Sequence, residues 1–309
     1  MEEGLAIFIV TLLAIIGAGF TLFTLAIILF DLHLRQKPST IPIVSFLVAA
    51  TIQGALAFPM YIYRKLSANR DRLGICDLYR VPYIFCGHIL TMSLLFISLD
   101  RLFVILRPFV YQDYVSTKRF SVLVVVFWIV TLLVDSIPFI TDVDTAGECV
   151  YNLTNHKWGI FVIILYIIIP LITIIVSYSI IWRKAVLIAL EDQKIQMRTL
   201  SDDSVNTDRK HKRIKYSVVE LKATKTSVVL IATYIICWGP LGFFYMVDHF
   251  CNSCYSNNGQ LSEFRTSIKI LALMSCFIAP AVYCWWNEAF RMATRNAFRK
   301  FKGICGCWN

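Results

Sequence analysis

The chain has 309 residues, of which 58% are hydrophobic and only 16% charged, and its formal net charge is +10. No soluble core absorbs that much apolar surface, so the composition excludes a soluble domain and points to a multi-span membrane protein. The positive charge reads as a topology signal, with attraction to anionic inner-leaflet lipid second, and not as a nucleic-acid footprint.

Seven apolar segments each come near the roughly 20 residues that a spanning helix needs: 5–30, 39–63, 78–106, 119–141, 157–182, 221–247 and 266–286. The expected fold is an all-α membrane protein, a seven-helix bundle forming one domain over 1–290. An amphipathic eighth helix and short tail follow in 287–309. The first segment is expected to be a retained span and not a cleaved signal, because Glu2 and Glu3 precede it and a basic leader is missing. With the N-terminus outside, the inner connections and tail hold 22 of the 30 Lys and Arg residues. That is the inner-side excess expected of a multi-pass plasma-membrane protein whose C-terminus is cytoplasmic.

In the first span Gly17 and Gly19 allow close helix approach, although lipid-facing glycines give the same pattern. In the second, Pro59 predicts a kink near the outer end, with Thr51 and Gln53 the polar side chains in the middle. The third span carries His88 in an apolar run and ends on Asp100-Arg101, an adjacent charge pair at the inner boundary. Such a pair is tolerated at the edge of hydrocarbon when its members compensate each other. Cys76 and Cys149 fall on the same outer side, where oxidising conditions favour a disulfide, and Asn152-Leu153-Thr154 beside them is a glycosylation sequon. In the fourth span Trp128, Asp135 and Pro138 stand out, Asp135 being suited equally to ligand contact and to packing against a neighbouring helix.

The fifth span has Pro170 in an Ile-rich run with Tyr178 two turns below. Residues 185–220 are polar and charged, a solvated loop that partly extends helices 5 and 6. The sixth span contains Cys237-Trp238-Gly239-Pro240, where Pro beside Gly interrupts the backbone ladder and allows a pivot. Cys251-x-x-Cys254 with His249 nearby suits either a local outer disulfide or an incomplete zinc site; no complete metal set is seen, and no metal or other cofactor is expected. After Pro280 and Tyr283, residues 287–301 alternate apolar and basic at helical spacing, as an interfacial helix does, and Cys305 and Cys307 are placed for palmitoylation. No nucleophile-base-acid set supports an enzyme.

Taken together, Asp100-Arg101-Leu102 at 24 residues from Cys76, Trp128, Pro170, Tyr178, Cys237-Trp238-Gly239-Pro240, Pro280-x-x-Tyr283 and Phe290-Arg291 resemble the landmarks of rhodopsin-like (class A) G-protein-coupled receptors, in order and over essentially the whole chain. The resemblance implies an outer ligand cavity, an outward swing of the inner end of helix 6, and nucleotide exchange on a heterotrimeric G protein. The switch residues it implies are Asp100, Arg101, Tyr178, Glu220, Trp238, Pro240, Pro280 and Tyr283. Glu220 either pairs with Arg101 to hold the bundle closed or is a solvated loop charge.

The sequence departs from the family at three polar positions, where the helix 1 Asn is read as Phe20, the helix 2 Asp as Thr51 and the helix 7 Asn as Ala279. With Leu90 opposite, no carboxylate remains to bind sodium, so a sodium site is not expected. Tyr83 stands where amine receptors of the family carry Asp. Arg80, Arg265 and Lys269 gather basic charge at the outer ends, which suits an anionic ligand or lipid as well as it suits snorkelling to headgroups. His88 and Trp238 lie deeper. The rival readings are a class A-like protein that does not signal by itself and a retinal pigment. Against the pigment, Leu273 occupies the position where opsins carry their lysine.

Overall fold

The computed structural model describes residues 2–61, 75–140, 157–198, 224–244, 247 and 259–305. Its long helices are α1 (Glu2–Phe30), α2 (Pro38–Tyr61), α3 (Ile75–Leu106), α4 (Thr117–Ile140), α5 (Lys157–Ile163 continuing through Ile164–Ile168 to Ile169–Arg198), α6 (Thr224–Phe244), α7 (Gly259–Trp286) and α8 (Glu288–Cys305). There is no strand among the described residues. Among the described residues six helices are long and apolar enough to cross a membrane, and Ala14–Phe30 of α1 is a shorter apolar stretch. The expected seven-helix bundle with an eighth helix is the fold.

Two prolines bend their helices by widening a turn. In α2 the stretch Gln53–Ala57 is π-helical, the Phe58 N–H reaching back to the Gln53 carbonyl just before Pro59. In α5 the same occurs over Ile164–Ile168, where the Ile169 N–H bonds the Ile164 carbonyl one residue before Pro170. A proline ring presses on the carbonyl four residues earlier, and a π turn makes room for it while keeping the neighbouring carbonyls bonded. The kink expected at Pro59 is therefore a π turn on its N-terminal side.

The third helix runs through the middle, packing on α2, α4 and α5, while α1 packs on α2 and α7. One apolar core joins Phe46, Leu47, Ile89, Leu90, Leu94, Leu230 and Ala279, and a second joins Tyr83, Leu241, Ile268 and Leu273. In contrast, α4 and α5 leave long apolar rows exposed, among them Val122, Leu133, Ile172 and Ile175, as helices bordering lipid do. Buried hydroxyls pin the helices together: the Trp128 indole N–H donates to Ser45 Oγ at 2.9 Å, and Ser45 and Ser93 hydroxyls are 2.9 Å apart, tying α4, α2 and α3.

The two glycines of α1 have different roles. A Cβ on Gly17 would lie 2.6 Å from Phe277 Cδ1 and 2.7 Å from its Cβ, so this is where α1 and α7 touch. Gly19 is exposed and meets nothing within 4 Å, which makes it the lipid-facing one. Past α7, the Asn287 side chain accepts the Phe290 N–H at 2.9 Å, capping the start of α8. The fifth helix continues to Arg198, the expected extension into the 185–220 segment.

Candidate functional site

At the Arg101 end, the charge pair is buried and self-compensating. Asp100 and Arg101 are 6% and 8% exposed, and Arg101 Nη2 lies 3.0 Å from Asp100 Oδ2. The other carboxylate oxygen accepts from Tyr111, whose hydroxyl donates to Asp100 Oδ1 at 2.6 Å and lies 3.3 Å from Ser39 Oγ. Tyr111 sits on a short helix, Pro108–Tyr114, which starts at a proline and folds back under α3; its ring also packs edge-on to Phe103. Burial, then the Asp100 charge, push the Tyr111 hydroxyl above its ordinary range, so it stays a donor. Tyr178 of α5 and Tyr283 of α7 lie within electrostatic reach of Arg101, and Tyr283 packs edge-on to Phe290 of α8. This brings Asp100, Arg101, Tyr178 and Tyr283 together at one end.

At the other end, Trp238 stands in an aromatic column. Its ring lies 5.8 Å from Tyr83 and 5.6 Å from Tyr234, and its indole N–H donates to Ser275 Oγ at 2.9 Å. Gly87 lies against this ring, where an added Cβ would come to 3.0 Å. Tyr234 links α6 to α3 through its hydroxyl, which is 2.8 Å from Thr91 Oγ1 and 3.2 Å from the Gly87 carbonyl. Pro240 lies within α6 and is exposed, and Pro280 lies within α7 and is buried. Lys269 is half-buried, next to Ile268, which packs in the same core as Tyr83. His88 pairs outside this column: its Nδ1 lies 3.0 Å from Asp135 Oδ1.

The core where α2, α3 and α7 meet is mostly apolar, with Ser45, Gln53, Ser93 and Ser275 as buried polar side chains of these helices. Ala50, Leu90 and Ala279 are fully buried in one core. Thr51, read above as the residue facing that interior, turns toward α1, its Oγ1 being 3.1 Å from Thr21 Oγ1 and 2.8 Å from the Leu47 carbonyl. The interior position is filled by Ala50, and on α1 it is Thr21, beside Phe20, that supplies the polar contact. A sodium ion is held chiefly by carboxylate, and none of these residues carries one. The midpoint of thermal unfolding of the purified protein is therefore expected to be the same in sodium and choline chloride at equal ionic strength, and a rise specific to sodium would contradict this.

Leu273 is fully buried and aliphatic, leaving no amine at the position a retinal linkage would use. Glu220, Cys149, Asn152, Cys251, Cys254 and Cys307 lie outside the described residues, and Cys76, Arg80, Arg265 and Cys305 are described as helix positions only. Three important residues escaped sequence reasoning. Tyr111 and Tyr234 are aromatic residues among many, and Ser45 is a single hydroxyl in an apolar helix; only the positions of their partners mark them out.

Residues 21–283 match the family model described as 7 transmembrane receptor (rhodopsin family). The helices, the buried Asp100-Arg101 pair and this match together define the class: the chain belongs to the rhodopsin family of seven-transmembrane receptors. Among curated relatives, the D(1A) dopamine receptor of Xenopus laevis is 24% identical over 94% of this chain and 69% of its own length. The octopamine receptor beta-1R of Drosophila melanogaster is 21% identical over 73% of this chain and 48% of its own length, and the substance-K receptor of Mus musculus is 25% identical over 67% and 52%. The chain thus spans about half to two thirds of the relatives it matches.

Proposed function

We propose that this protein is a plasma-membrane receptor that converts binding of an outer ligand into nucleotide exchange on a heterotrimeric G protein, with its C-terminal side in the cytoplasm. The observation that carries the reading is the caged Arg101: a guanidinium buried at 8% exposure and tied to Asp100, itself held by Tyr111. A charge stored this way at the edge of a bilayer is poised to be released. Beside it, Phe109 on the same short helix as Tyr111 is 68% exposed, an apolar contact available to a partner at that end. Opening requires α6 to leave α3; Arg101 then faces the G protein, with Tyr178 and Tyr283 nearby to hold it and Glu220 as a further brake.

The ligand cavity lies above the Tyr83–Trp238 pair. Tyr83, an uncharged residue, lines its floor, which disfavours an amine, and Arg80, Arg265 and Lys269 on the surrounding helix ends favour a carboxylate, phosphate or acidic lipid. The Cys76–Cys149 disulfide, Asn152 glycosylation and lipidation of Cys305 and Cys307 complete this reading. One observation favours a second reading, a receptor-like protein that does not signal alone: the apolar Ala50, Leu90 and Ala279 interior lacks the polar relay that the family resemblance implies. In cells carrying promiscuous G-protein reporters, Phe109→Ala and Arg101→Ala are each expected to lower basal output about tenfold or more at equal surface level, roughly the worth of one well-buried contact. Surface-expressed native protein with no output above that of Arg101→Ala would favour the second reading.

A further inference from the structure

Away from the aromatic column, the described residues hold a second buried polar cluster where α3, α4 and α5 meet. His88 Nδ1 faces both oxygens of Asp135, at 3.0 and 3.1 Å, with the side chains 12% and 4% exposed. The opposite contact is a ring: Tyr166 stacks on the imidazole at 4.2 Å with the planes 14° apart. The Tyr166 hydroxyl donates to Thr131 Oγ1 at 3.3 Å and lies within electrostatic reach of Asp135.

We propose that His88 and Asp135 form a proton-binding site, and that the proton held there fastens α3 to α4 and α5 in the closed arrangement. Asp135 contributes a negative charge on α4. Tyr166 on α5 is neutral, as are Tyr83 and Cys86 on α3 itself, and no Lys or Arg among the described residues pairs with Asp135. With a proton on both imidazole nitrogens the cluster is neutral overall, an imidazolium in the fork of a carboxylate and against the electron-rich face of a phenol ring. When water takes that proton, the imidazole becomes neutral and the carboxylate is left as an uncompensated charge at membrane depth. That state is relieved by admitting water between the helices. Tyr166 lies in the π-helical turn of α5, and the same helix continues through Pro170 to Tyr178 near Arg101, so loosening here reaches the switch.

The sign follows from the charges. The closed arrangement gains from the proton, so its stability falls and basal output rises as pH is raised, which is measured over the range from about pH 5 to about pH 8. The test compares purified native protein in nanodiscs with the His88→Gln/Asp135→Asn double variant, which keeps a hydrogen bond and carries no charge at any pH. Native protein is expected to lose at least about 3 °C more in unfolding midpoint than the variant across that range. Its basal nucleotide exchange is expected to rise about threefold or more relative to the variant. Parallel unfolding profiles would overturn the site. A stability step with no change in exchange would overturn its regulatory role. Absence of exchange at every pH would count against the G-protein reading, on which the unfolding arm does not depend. Should the double variant not fold, nuclear magnetic resonance of native protein with isotopically labelled histidine decides: a buried imidazolium at neutral pH supports the site, and its absence overturns it.

Discussion

Gly17→Val is expected to lower the unfolding midpoint by about 3–10 °C and to reduce surface expression, whereas Gly19→Val, two residues away, leaves both unchanged. The magnitude follows from forced overpacking at about 1–3 kcal/mol and from about 2–4 °C per kcal/mol for a chain of this order of size. A side chain at Gly17 collides with Phe277 at Cδ1 and also at Cβ, 2.6 and 2.7 Å away. A ring can rotate out of the way, but a Cβ is fixed to its backbone, so α1 and α7 have to separate. That separation also strains the contact two turns along the same seam, where Thr24 Oγ1 and Cys284 Sγ are 3.2 Å apart. Gly19 faces open space, and valine is no worse than glycine in a helix. Equal midpoints for Gly17→Val and Gly19→Val in thermal unfolding would show that the α1–α7 contact is not as close as described.

Tyr234→Phe is expected to raise basal output about 2- to 10-fold. The Tyr234 hydroxyl is held by Thr91 at 2.8 Å and by the Gly87 carbonyl at 3.2 Å, both on α3, while its ring stacks on Trp238 of its own helix. Removing one oxygen leaves the stack intact and deletes the polar tie between α6 and α3. A buried hydrogen bond is worth about 0.5–1.5 kcal/mol net, and 1.4 kcal/mol is a factor of ten in a two-state equilibrium. In the proposed mechanism α6 is the helix that moves, so the loss falls on the closed state. Thr91→Val removes the partner and is expected to act in the same direction. Dose-free reporter output at matched surface level measures this, and unchanged output in both variants would mean that this contact does not hold α6.

The helices were legible because the bilayer imposes a length: runs of apolar residues near the spanning length located all seven, and the amphipathic run after Tyr283 located the eighth. The ion pair at Asp100-Arg101 was legible for the same reason, since charge is rare in such runs. Relations between helices were much less so. The stretch from Ser45 to Ala57 scatters Ser45, Thr51 and Gln53 among apolar residues, so its pattern does not mark which residue faces inward. The family resemblance put Thr51 at the position of the helix 2 Asp, yet the bundle turns it to α1 and puts Ala50 inside. Gly17 and Gly19 likewise differ only in what stands opposite. His88 and Asp135 each stood out as costly residues, but their pairing depends on how α3 and α4 are rotated, which apolar composition does not encode. The π turns before Pro59 and Pro170 show that a proline signals a disturbance without specifying how the backbone absorbs it.

The proposed role of the buried Arg101, as the element through which this protein acts on a G protein, is tested most directly by GTPγS uptake by purified heterotrimers mixed with the protein in nanodiscs, native against Arg101→Ala. Native protein is expected to speed uptake above empty nanodiscs, and Arg101→Ala, compared at equal amounts of folded protein, to reduce the increment about tenfold or more. Equal acceleration by the two proteins would contradict it.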